Sequence, residues 1–233
     1  MSQPGLIREF GAIITTKAVP HNEPPAWRLR RRIVVAVVLV GGTVLLRCAL
    51  GRDPGEPAFF WMMLGLAALW AAGALVSGPL HLGVVRFRGR YERPVFTGTG
   101  IGLVLGGLFV LAAWVARQLP ALAEPTARLM EYVNHGNPRL MLALVVLSAI
   151  AEEMFFRGAV YTALGRYAPV LVSTLLFAAV SLVAGSWLLA LVAVVLGLVC
   201  GVERRATNGV LAPVLTHLVW GFIVALAIPP LFA

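Results

Sequence analysis

Seven apolar segments, at about 33–50, 59–82, 96–116, 139–164, 169–184, 186–202 and 209–231, succeed one another along this 233-residue chain. That succession leaves few folds open. Five of the segments are about as long as a membrane crossing requires, the fifth and sixth being short, and in lipid the backbone must satisfy its own hydrogen bonds, which favours helices. Composition agrees: 60% of residues are hydrophobic and 12% charged, against about 25% charged in soluble domains. The expected fold is therefore all-α, a polytopic transmembrane bundle of about seven helices. The net charge of +9 does not imply nucleic acid, because the arginines sit at the ends of apolar segments rather than in an aromatic-interleaved stripe. Membrane lipids are the expected partner, and no nucleic acid.

Those arginines also orient the chain. The N-terminal tail, the 86–93 connection, Arg166, Arg204 and Arg205 fall on one side. Arg47, Arg52, Arg117, Arg128 and Arg139 fall on the other. The heavier side is expected to be cytoplasmic, which places the N-terminus inside. Residues 1–32 read as a cytoplasmic tail that lies on the headgroups and lacks a cleavable signal. Residues 33–137 read as N-terminal transmembrane helices, and 138–233 as a second set. The 117–138 connection reads as an ordinary extracytoplasmic loop rather than a lid, with a short helix within it as the lesser alternative. Ala184 and Gly185 alone separate the fifth and sixth segments, which implies either a tight helical hairpin or helix ends that lie elsewhere. Gly98, Gly102 and Gly106 form a ladder that permits close helix approach. Cys48 and Cys200 are expected to be buried thiols, and Trp220 an interface anchor. The near absence of lysine (Lys17 alone) suggests a GC-rich bacterial genome, hence a bacterial cytoplasmic membrane.

Inside the fourth segment, LMLALVVLSAIAEEMFFRGAVYTALG, stand Glu152, Glu153 and Arg157. Each charge at mid-membrane costs about 2.5–3.5 kcal/mol on insertion scales, so the cluster needs an explanation. Glu153 and Arg157 are four apart and share a helix face, whereas Glu152 is rotated by about 100°. The pattern reads as an ion pair plus one free carboxylate. Three explanations are open: bundle packing, proton or ion transport, and hydrolysis by a carboxylate that takes a proton from water.

Read forward, AEEMFFRG is followed by STLLFAAVS and then NGVLAPVLTHLVWGF. This order resembles the CAAX-protease and bacteriocin-processing family of intramembrane proteases, also called the abortive-infection family, over about residues 138–231. That family carries Glu-Glu-x-x-x-Arg, then Phe-x-x-x-His, then His-x-x-x-Asn or Asp. Here the first motif is complete at Glu152, Glu153 and Arg157. The second keeps Phe177 but has Ser181 in place of His. The third keeps His217 but has Gly221 in place of Asn or Asp.

The resemblance implies that residues 138–233 form the family's core and that Glu152 activates water. Glu153 and Arg157 would be a structural pair, and His217 a polarising group. Ser181 and Gly221 are substituted site positions: a hydroxyl is a poor metal ligand, and glycine has no side chain. A divalent metal, proposed for the family, is disfavoured by these missing ligands, since catalytic zinc takes three protein ligands. His81 and His135 are not expected to replace them. The resulting expectation is a glutamate-dependent endopeptidase that cleaves a membrane-associated protein or peptide. The alternative is a degenerate member that binds or scaffolds membrane partners.

Overall fold

The computed structural model describes residues 24–87, 90–135 and 137–232. The expected tail falls largely on residues 1–23 and lies outside the described residues. The chain is an all-α polytopic membrane bundle, relieved among the described residues by one short hairpin. Helix α1 runs Pro25–Ala49 and α2 Pro57–Ser77. A hairpin of β1 (Val85–Phe87) and β2 (Arg90–Glu92) follows. Then come α3 Val95–Ala116, α4 Pro120–Asn134 and α5 Pro138–Glu153. Helix α5 continues without a break as a π turn, Met154–Val160, and closes as α6, Tyr161–Leu164. The chain ends with α7 Pro169–Val183, α8 Trp187–Thr207 and α9 Leu211–Ala227. Among the described residues, five helices (α1, α2, α3, α8 and α9, the last with the 3-10 turn after it) are individually long and apolar enough to cross a membrane.

Starts and stops follow local chemistry. Proline opens α1, α2, α4, α5 and α7, where its missing N–H has no intrahelical partner to lose. Asn137 caps α5 by accepting from the Arg139 amide, and Ser186 caps α8 by accepting from Leu189. The tight hairpin expected around Ala184 and Gly185 is present, with Gly185 at φ +103°. The α5–π–α6 unit stands at the centre and touches α1, α2, α4, α7, α8 and α9. Aromatic stacking locks it in place: Phe155 lies on Trp70 at 4.6 Å and Phe156 on Phe177 at 4.6 Å. The glycine ladder works as expected. Gly98 and Gly102 bring α3 against Ala212 and Thr216 of α9, and Gly106 against Ile223.

Several expectations are corrected. The 117–138 connection is not a loop but the amphipathic helix α4. Glu124, Arg128 and Glu131 form its exposed stripe, and Leu122, Leu129 and Val133 its half-buried face. Tyr132 fastens it, its hydroxyl reaching the Leu50 and Arg52 carbonyls. The helix of the second segment stops at Ser77 rather than running on to 82. Arg31, expected in the tail, lies on α1 and is fully buried, donating to Ser77 Oγ at 3.0 Å and the Pro79 carbonyl. Cys48 is exposed on α1, while Cys200 is buried. Trp220 is buried in the bundle, against Phe109.

The stretch that follows α2 crosses over the start of α9. Val210 and Leu211 donate to the His81 and Leu82 carbonyls, and Val84 donates to Thr207. The first amides of α9 are satisfied in this way. The approach requires Gly209, because a Cβ there would stand 2.1 Å from the Gly83 nitrogen and Leu82 carbonyl carbon. Backbone cannot give way as a side chain does. Gly209→Ala is expected to cost about 3 kcal/mol, read as a lowered thermal midpoint in detergent. An unchanged midpoint would show that this crossing is loose.

Candidate active site

The π turn begins directly after Glu153 and carries Arg157. A π turn widens the helix to an i→i+5 pattern and is frequent at functional sites. The carbonyls it leaves exposed find partners: Arg204 Nε donates to the Arg157 carbonyl at 2.8 Å, and Thr162 Oγ to that of Gly158 at 2.6 Å. Glu152 lies near the middle of the α5–π–α6 unit, roughly 20 Å from either end.

Glu153 and Arg157 do pair. Arg157 Nε stands 3.2 Å from Glu153 Oε2, within ion-pair range but off the line of a hydrogen bond, and both side chains are fully buried. The guanidinium also lies over the Phe177 ring at 5.0 Å, which accounts for that phenylalanine. Glu153 has a second partner that its spacing does not reveal. His217 Nδ1 is 2.9 Å from Glu153 Oε1, and since a carboxylate only accepts, Nδ1–H donates. The opposite ring nitrogen, Nε2, then faces Glu152 Oε2 at 4.0 Å. Glu152 keeps 19% of its side chain exposed, whereas Glu153 and Arg157 keep none. One carboxylate is thus enclosed between Arg157 and His217, and the other faces the same imidazole and is partly exposed.

Thus Glu152, Glu153, Arg157 and His217 converge. Ser181 and Gly221 contribute no polar group to that cluster. The Ser181 hydroxyl turns back to the Phe177 carbonyl of its own helix at 3.4 Å. Gly221 is a packing contact, where a Cβ would meet Val145 Cγ1 at 3.0 Å. His135 is exposed and bonded to the Glu131 carbonyl of its own helix. The groups at hand do not fit a zinc ion: Glu153 and one nitrogen of His217 are spent on each other. Among the described residues, no group of three or more His, Cys, Asp or Glu is arranged to hold a metal.

Gly221→Asn would return an amide one turn beyond His217, against Val145. Alone it is expected to lose about 1–3 kcal/mol by overpacking, and Val145→Ala in the same chain should recover most of that loss. Thermal melts of the single and double variants read this directly. Additive behaviour would show that the two positions do not touch.

A buried carboxylate absent from the sequence reading, Glu203, stands behind the cluster on α8. It accepts from Thr216 Oγ at 2.8 Å and is close enough to Glu153 and Arg157 to feel both charges. The Cys200 thiol, one turn earlier, lies against the Pro213 carbonyl and Glu153. Nothing in the local sequence marked Glu203, because it follows the last apolar residues of its segment and precedes two arginines.

A family model described as type II CAAX prenyl endopeptidase Rce1-like matches residues 135–223. That span contains Glu152, Glu153, Arg157, Phe177, Ser181, His217 and Gly221, in agreement with the resemblance read from the motifs. No curated protein and no solved structure matches the chain.

Proposed function

We propose that this integral membrane protein, whose residues 135–223 are Rce1-like, is a CAAX-type intramembrane endopeptidase in which Glu152 activates water. The observation that carries the reading is the placement of His217 between the two carboxylates. Glu153 holds Nδ1–H, so Nε2 presents a lone pair toward Glu152 across 4.0 Å. A water about 2.8 Å from each can donate one hydrogen to Glu152 Oε2 and one to Nε2. Its own lone pairs then face away from both acceptors, toward an incoming carbonyl carbon. As the C–O bond forms, Glu152 takes a proton. The C–N bond then breaks, and Glu152 returns that proton to the leaving amine. The water oxygen stays in the new carboxyl group.

The substrate would be a peptide bond in a membrane-anchored protein or peptide, since the site lies at mid-bundle. Water labelled with 18O tests the chemistry. Purified protein in vesicles, incubated with lipid-anchored and single-span peptides, should yield fragments whose new C-terminus carries one 18O by mass spectrometry. Fragments without label would exclude direct attack by water. A second reading rests on Ser181 and Gly221: with the Ser181 hydroxyl turned back to the Phe177 carbonyl and no side chain at Gly221, a developing oxyanion lacks groups worth about 10²–10³ in rate each. On that reading the chain keeps the scaffold and binds membrane peptides without cutting them. Retention of uncleaved peptide by both wild-type protein and Glu152→Gln would favour it.

A further inference from the structure

The rotation of α9 decides where the imidazole stands, and the contacts that set it are uneven. On the α3 side α9 meets Gly98, Gly102 and Gly106, a smooth face that resists rotation weakly. A directional contact stands directly before the imidazole. Thr216, the residue before His217, places its hydroxyl 2.8 Å from Glu203 Oε1 of α8 and 2.9 Å from the Gly98 carbonyl of α3. Thr216 is fully buried, and Glu203 is nearly so. The second oxygen of Glu203 has no hydrogen-bond partner among the described residues. As simple filling, a leucine of similar volume would occupy the position without the cost of a half-satisfied carboxyl.

We propose that Glu203 is a positioning residue for His217, acting through Thr216. Side chains lie about 5–6 Å from a helix axis, so a rotation of about 20° carries the ring roughly 2 Å. That shift breaks the 2.9 Å contact with Glu153 and turns Nε2 away from Glu152. Glu203 and Thr216 thereby hold the tautomer as well as the place of the ring. The inference deepens the hydrolytic reading, and its test reads the imidazole without substrate, so the two can fail separately.

The test uses full-length protein with 15N-labelled histidine in lipid nanodiscs, with the His217 signals assigned by their loss in His217→Asn. Wild-type protein should show one tautomer, with the proton on Nδ1. Glu203→Gln keeps an oxygen acceptor for Thr216 and should leave those signals in place, as should Thr216→Ser. Glu203→Leu should replace them with a mixture of tautomers while the protein still elutes as folded. Thr216→Val makes the same prediction where the leucine variant does not fold. A folded Glu203→Leu or Thr216→Val protein with the wild-type His217 spectrum would overturn the proposal. A Glu203→Gln spectrum matching that of Glu203→Leu would also overturn it, since the charge and not the acceptor would then be at work.

Discussion

Arg157→Met is expected to be the most destabilising single change in the core, at about 3–5 kcal/mol. Methionine fills much of the same space, so the loss comes from charge rather than volume. Glu153 would remain fully buried with no cationic partner, only His217 and the Cys200 thiol beside it among the described residues, and the contact over Phe177 would go as well. For a chain of this size the thermal midpoint should fall by about 10 °C or more. The paired change Glu153→Gln with Arg157→Met should recover most of that loss, because no unpaired charge is left inside. An Arg157→Met protein as stable as wild type would show that the Glu153–Arg157 pair contributes nothing to the fold.

Glu152→Gln is expected to do the opposite: remove cleavage and leave the fold intact. Loss of a general base typically costs about 10²–10⁴ in rate. Glutamine has nearly the same shape but cannot take the proton from water. The stability change should stay within about 1 kcal/mol, since Glu152 is partly exposed and the His217 ring nitrogen that faces it stands 4.0 Å away, beyond hydrogen-bond range. Cleavage rates of a membrane-anchored peptide, measured beside thermal melts, separate the two effects. Cleavage within about three-fold of wild type would remove Glu152 from the chemistry and point to His217 as the base.

The contrast between adjacent glutamates shows how far sequence reasoning reached. Spacing alone paired Glu153 with Arg157, because a helix places residues four apart on one face. It could not see that Glu153 also orients His217, a residue 64 positions further on. It also took Gly221 for a missing side chain, without the reason visible in the structure: α9 lies so close to α5 that Val145 fills the place. Helix α4 is only the lesser alternative in the sequence, because its apolar face is narrow and Pro125 interrupts it. Arg31 was taken for a tail residue because its partners, Ser77 and Pro79, lie far away in sequence.

By itself the sequence determined that this chain lives in a membrane, that its apolar segments are helical, and which helix bears the anomalous charges. Apolar length, proline starts and helical spacing are local, and local chemistry is written in order along a chain. Its order of motifs also determined the family resemblance. The tertiary structure alone decided which polar groups meet: Glu153 with His217, Glu203 with Thr216, Arg204 with the π turn. Such contacts depend on how helices rotate and how closely they approach. Glycine faces and buried hydrogen bonds from distant parts of the chain set both, and no single segment encodes them.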